Sequence, residues 1–233
     1  IRRAMLKNTR LPLGTVPLYA VAQKYISRGE DPARMSPSEI LEEVHLQAEE
    51  GVDFMTLHCG VTRRGVALAR ESGRALGVVS RGGSLLARWM EENDRENPLL
   101  TEYDSLLETC LGQNVVISLG DGMRPGAVCD AGDEAQWEEV ITLGSLSRSA
   151  LNSGVQTMIE GPGHVPLHLI PGQIQGIKRI CAGAPLYVLG PLPTDIAAGH
   201  DHVAGSIGAC LAAYYGADFL CYLTPAEHLT LPQ

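Results

Sequence analysis

The sequence predicts a parallel α/β fold, read here as most of a (β/α)8 TIM-type barrel. Three observations carry that reading. Short apolar runs recur along the chain, each about five residues long, near the usual strand length. Helical stretches separate them, as in parallel strands joined by crossovers. Nearly every run ends in a polar, Gly-rich tip.

The runs fall at 14–19, 53–58, 76–80, 115–119, 155–160, 185–189 and 218–223. Several are continuously apolar, as expected of parallel strands buried on both faces. A helix is predicted over 38–50, where Ile40, Leu41, Val44 and Ala48 keep helical spacing after a Ser-Pro start. Another is predicted over 134–153, through Val140, Leu143, Leu146 and Ala150. The stretch 204–215 is small and apolar and reads as a buried helix. Residues 1–6 read as the middle of an amphipathic helix, and 229–233 as the far side of a terminal loop. Seven strands are one short of a closed barrel, and the expected place of the missing one is before residue 1. A doubly wound open sheet is the alternative. No repeat, low-complexity segment or linker divides the chain, so residues 1–233 read as one domain.

A chain of 233 residues, 45% of them hydrophobic, is long enough to bury a core of its own. The net charge of −9 argues against nucleic acid, which needs a basic face. It leaves room for a phosphorylated ligand held by a local Arg and backbone N–H groups. The six cysteines show no CxxC spacing, so no zinc-ribbon or iron–sulfur signature lies within the chain. Most sit in apolar runs, and the chain reads as reduced and cytoplasmic. The basic start at residues 1–8 lacks the apolar stretch of a signal peptide, so none is expected, and no apolar run approaches a membrane span.

Barrel active sites sit at the C-terminal ends of the strands. Here the tips are Tyr19, His58-Cys59-Gly60, Ser80-Arg81-Gly82-Gly83, Asp121-Gly122-Met123-Arg124, Glu160-Gly161-Pro162-Gly163-His164, Tyr187 with Gly190-Pro191, and Thr224-Pro225-Ala226-Glu227-His228. Each has a plain reading beside the functional one. Ser80 to Gly83 is either a tight turn or a phosphate cradle at a helix N-terminus. Asp121 and Arg124 either pair with each other or hold a ligand. Glu160 either caps the next turn or faces a ligand. Tyr187 is either core packing or a ligand contact. His164 and His228 close loops of different strands, where two imidazoles leave a metal open to water or substrate. His200 and His202 are a second candidate pair, and Asp201 between them reads as a helix N-cap.

Seven motifs together resemble the ThiC family of phosphomethylpyrimidine synthases over essentially the whole chain. They are Gly14-Thr15-Val16-Pro17-Leu18-Tyr19, His58-Cys59-Gly60-Val61, Ser80-Arg81-Gly82-Gly83, the stretch from Leu119 to Gly126, Glu160 to Pro166, Leu189-Gly190-Pro191, and Leu220 to Leu229. The resemblance implies a non-canonical radical S-adenosylmethionine (SAM) enzyme of thiamine biosynthesis. Such enzymes convert 5-aminoimidazole ribotide (AIR) to 4-amino-5-hydroxymethyl-2-methylpyrimidine phosphate. By position it assigns Tyr19, His58, Ser80, Arg81, Gly82, Asp121, Gly122, Met123, Arg124, Glu160 and Tyr187 to substrate. It assigns His164 and His228 to a metal, usually zinc. It also implies a homodimer and a [4Fe–4S] cluster on a CxxCxxxxC motif.

That motif is absent from these residues, so residues 1–233 alone are not expected to cleave SAM. Family members usually read Pro-Gly-Tyr-Asp-His where this chain has Ala198-Gly199-His200-Asp201-His202, and Phe where it has Leu186. Two alternatives therefore stand beside the pyrimidine synthase. One is the paralogue 5-hydroxybenzimidazole synthase, which uses the same ribotide for the vitamin B12 lower ligand. The other is an inactive fragment that only binds the ribotide.

Overall fold

The computed structural model describes residues 1–230; the last three residues of the expected terminal loop lie outside them. Six parallel strands form one sheet: β1 (Gly14–Thr15), β2 (Phe54–Leu57), β3 (Val116–Leu119), β4 (Thr157–Glu160), β5 (Leu186–Val188) and β6 (Phe219–Leu220). They lie in sequential order, each pairing with the next, in a curled half-barrel. Ten helices connect or flank them: α1 (Arg2–Asn8), α2 (Pro17–Ser27), α3 (Pro37–Glu49), α4 (Arg63–Glu71), α5 (Arg81–Asn93), α6 (Pro98–Thr101), α7 (Tyr103–Gln113), α8 (Glu134–Asn152), α9 (Ile170–Ile180) and α10 (Asp201–Tyr214). None of the described helices is long and apolar enough to cross a membrane.

The helices start where the sequence supplies caps. Ser36 and Glu39 form a reciprocal capping box at α3, with Pro37 at its first position. Thr62, Ser80 and Asp133 accept N–H groups from the first turns of α4, α5 and α8.

Alternation along the strands divides the sheet into two faces. Met55, Leu57, Ile117, Leu119, Ile159 and Leu186 are buried in the main core. The alternate positions Phe54, Thr56, Glu160 and Tyr187 line a cavity on the other face. Uniform apolarity was expected of several strands, but their inner positions include polar groups.

Three expectations are corrected. Residues 76–80 are not a strand, so six strands stand where seven were counted. Gly77 turns the chain at φ 63°, Leu76 points to solvent, and Ser80 already caps α5. Helices α4 to α7 make up the connection from β2 to its neighbour β3 instead. The run 14–19 keeps strand geometry only at Gly14–Thr15, because Pro17 opens α2 and places Tyr19 in its first turn. Helix α10 is buried on one face only: Val203, Ile207 and Tyr214 are exposed.

Asn97 ties the helical insert to the site strand. It is fully buried, donates to the carbonyls of His58 (2.8 Å) and Val61 (2.9 Å), and accepts from Leu99 N–H (3.0 Å). Leaving a buried carbonyl unpaired costs about 1–3 kcal/mol, so Asn97→Ala is expected to lose about 2–4 kcal/mol of stability. A urea midpoint matching that of the unsubstituted protein would reject this.

Candidate active site at the strand ends

One cavity of about 370 Å³ opens at the C-terminal ends of the strands. Among the residues lining it are Tyr19, His58, Asp121, Arg124, Glu160 and Tyr187, drawn from α2 and from β2 to β5 or the loops after them. The other expected contacts stand behind this lining. Gly82 packs on His58, where a Cβ would lie 2.3 Å from the ring. Ser80 caps α5, and the Arg81 guanidinium lies 5.3 Å from the Tyr19 ring centre. Gly122 and Met123 are buried, the Met123 side chain completely.

The polar lining is held from the sheet. Glu160 Oε1 accepts from Thr56 Oγ and Ser118 Oγ, both at 2.8 Å, which joins β2, β3 and β4 across the inner face. It does not cap the turn after β4. Arg124 and Asp121 pair with each other at 3.1 Å, and both side chains line the cavity. Thr56 and Ser118 escaped the sequence reading. Their signal was a hydroxyl placed inside an otherwise apolar run.

Burial sets the charges. The His58 imidazole is pushed down to about 3, first by burial and then by the Arg124 charge, so it is neutral. Its Nδ1 has no hydrogen-bond partner among the described residues. The Asp121 carboxyl is pushed up to about 8 by burial, against the pull of Arg124. Burial also raises the Tyr19 and Tyr187 phenols, which stay protonated.

In the loops that follow β4 and β6, His164 and His228 face each other with their Nε2 atoms 3.3 Å apart. His164 Nδ1 lies 2.8 Å from Asp195 Oδ1, and His228 Nδ1 lies 3.1 Å from Asp201 Oδ2. A carboxylate only accepts, so each Nδ1 carries the proton and each Nε2 presents a lone pair. Two lone pairs at that separation repel unless a proton or cation stands between them. Nitrogens bound at about 2.0–2.1 Å to one tetrahedral ion would be about 3.3–3.4 Å apart. The donor pair and its outer carboxylates thus fit a divalent metal. Among the described residues no third His, Cys, Asp or Glu completes the set.

Asp201 is corrected in role. His200, not Asp201, occupies the cap position of α10, and Asp201 Oδ2 also accepts the His228 N–H. Asp195 was passed over as a loop residue; it reaches Val128 N–H as well as His164. The second candidate pair does not converge in the same way: His202 Nδ1 is buried without a hydrogen-bond partner among the described residues.

The opposite shifts of His58 and Asp121 predict a pH signature. From about pH 3 to 6.5 the unfolded chain binds a proton at His58 that the folded chain refuses, so this group makes stability rise with pH. From about pH 4 to 8 the folded chain keeps a proton on Asp121 that the unfolded chain releases, so this group makes stability fall with pH. Each slope is about 1.4 kcal/mol per unit, and the two oppose between about pH 4 and 6.5. Relative to the unsubstituted protein, Asp121→Asn should steepen the rise with pH below 6.5. His58→Asn should leave a fall continuing to pH 8. Urea unfolding from pH 4 to 8 checks this, and parallel profiles for the two variants would reject it.

The whole chain, residues 1–233, matches the model of the radical SAM ThiC family. It is 52% identical over 232 residues to a phosphomethylpyrimidine synthase of Carboxydothermus hydrogenoformans, covering all of this chain and 54% of that protein. It is 51% identical to the enzyme of that name from Methanopyrus kandleri and 52% to that of Syntrophus aciditrophicus, with the same coverage. The chain therefore spans about half the length of these relatives. Matched end to end by the family model and at half its positions by such relatives, this chain belongs to the radical SAM ThiC family.

Proposed function

We propose that the protein carrying this chain is a phosphomethylpyrimidine synthase that rearranges AIR to the hydroxymethylpyrimidine phosphate by SAM-dependent radical chemistry. The observation that carries this reading is the gathering of six expected contact side chains around one cavity. Identity above 50% to synthases of that name supports it over the benzimidazole paralogue.

In this reading Arg124 and Asp121 receive polar groups of the ribotide, and Glu160 receives a donor while Thr56 and Ser118 hold its other side. The N-terminus of α5, a 13-residue helix opening at Ser80-Arg81-Gly82, faces the phosphate with free N–H groups and the positive dipole end. Neutral His58 and the two phenols orient the ligand without adding charge. Closure of the half-barrel by further strands of the full-length protein belongs to the same proposal.

His164 and His228 would hold zinc or another divalent ion through Nε2, and the ion would supply a Lewis acid with open positions. The cluster is a different case. The cysteines are scattered, three of them buried, and no three ligating groups converge among the described residues. The cluster is therefore assigned to another segment of the full-length protein, where reductive cleavage of SAM supplies the radical. The part of this chain is to bind, orient and shield the ribotide.

The test is anaerobic incubation of the full-length, cluster-loaded protein with AIR, SAM and a reductant, read by mass spectrometry. Pyrimidine phosphate with 5′-deoxyadenosine is expected. 5-Hydroxybenzimidazole would move the assignment to the paralogue, with His200 and Leu186 as the first positions to exchange. Neither product would leave the ribotide-binding fragment. Separately, His164→Ala and His228→Ala should each empty the metal site by elemental analysis, and full occupancy in both would reject the two-histidine assignment.

A further inference from the structure

Met123 is the point at which the loop after β3 is gripped from the interior. Its N–H donates to Glu139 Oε2 at 2.7 Å, and its carbonyl accepts from the Arg74 guanidinium at 2.7 Å. Arg74 has a fully buried side chain and holds Asp133 through two hydrogen bonds, at 2.6 and 2.7 Å. Asp133 caps α8, and Glu139 lies in the same helix. The N-terminal half of one helix therefore supports the two peptide units on either side of Met123.

The grip reaches further through backbone contact. A Cβ on Gly122 would lie 3.2 Å from Glu139 Oε1 and 2.1 Å from a Val61 methyl. A Cβ on Gly83 would lie 2.2 Å from the Gly122 carbonyl oxygen. The first turn of α5 thus rests on the carbonyl of the same peptide whose N–H Glu139 holds. Residues 121 and 124, on either side of the gripped segment, supply two of the cavity's ionisable side chains.

Glu139 is an expensive anchor. It is 2% exposed, and its Oε1 has no hydrogen-bond partner among the described residues. It borders a small void of about 10 Å³ together with Asp121, Arg124, Gln136 and Glu160. Burial, then the Asp121 carboxyl, hold its acid well above the ordinary range, against the Met123 N–H. Neutral, it grips the loop without setting a buried negative charge beside Asp121.

We propose that Glu139, with Arg74, is a positioning residue of the substrate site, setting where Asp121 and Arg124 stand and how closely α5 approaches them. The ligand half of this proposal rests on the ribotide reading; the mechanical half does not.

The test has two arms on the full-length protein. The first uses no ligand and follows amide exchange of segment 120–126 by mass spectrometry. Glu139→Ala should speed exchange there by about tenfold, the equivalent of losing one buried hydrogen bond, and leave distant segments near the unsubstituted rate. Glu139→Gln still offers an acceptor to Met123 and should stay within about threefold. Arg74→Lys keeps the charge but cannot span Asp133 and Met123; it should speed exchange by about fivefold and serves if the alanine variant does not fold.

The second arm is AIR affinity by calorimetry. Glu139→Ala should weaken it about tenfold and Glu139→Gln less than about threefold. In an Arg124→Ala background, Glu139→Ala should add less than about twofold, whereas with Tyr187→Phe the losses should multiply. Unchanged exchange in Glu139→Ala (or in Arg74→Lys, where that variant stands in), a glutamine variant as loose as the alanine one, or full multiplication with Arg124→Ala would overturn the proposal. An unsubstituted protein with no affinity for AIR would reject the ribotide reading, and the exchange arm would still decide the grip.

Discussion

A carboxylate on the inner face of a parallel sheet has to be met by donors from neighbouring strands, and Glu160 is met by Thr56 and Ser118. That single acceptor fixes much else. It requires hydroxyls at two positions where an ordinary buried strand would carry Val or Ile. It also depends on register, because Thr56 pairs with Ser118 and Glu160 stands beside Tyr187. A slip of one residue would turn the hydroxyls toward the helices and leave the carboxylate unmet. The polar layer and the strand register therefore specify each other.

The same layer explains the charge pattern of the cavity. Asp121, Glu160 and Arg124 share a space into which His58 adds no charge. A buried imidazole wedged between Gly82 and Gly120 has no solvent to stabilise a proton. Burial alone would discharge Asp121, and Arg124 offers only partial compensation. At the His164–His228 pair the logic reverses: Asp195 and Asp201 make the two imidazoles better donors to a cation by taking their Nδ1 protons as hydrogen bonds.

How much of this was legible in the sequence follows from what each residue answers to. Helices α3 and α8 were readable because caps and helical spacing are local signals. The strand tips were readable because Gly, His, Asp and Arg after an apolar run are rare in combination. Residues 76–80 misled because Leu76-Gly77-Val78-Val79 is apolar like a strand, while nothing local reveals that no neighbour pairs with it. Tyr19 does line the cavity but was placed on a strand, since Pro17 can begin a helix or follow one. The partners at longer range were out of reach: Asp201 meets His228 across 27 positions, and Arg74 meets Asp133 across 59. Glu139 left a trace, a carboxyl on the stripe that Ala135, Val140 and Leu143 bury, but that trace does not say what the carboxyl holds.

The two outermost strands carry a consequence for handling the molecule. Among the described residues β1 pairs only with β2 and β6 only with β5, so each leaves one row of backbone donors and acceptors without a strand partner. On β6 the side chains of Phe219 and Leu220 are exposed, as are Ile207 and Tyr214 on the preceding helix α10. Open edges flanked by apolar surface are templates for strand addition between molecules. Residues 1–230 by themselves would therefore associate edge to edge as concentration rises, and their solubility would depend on what covers those two rows.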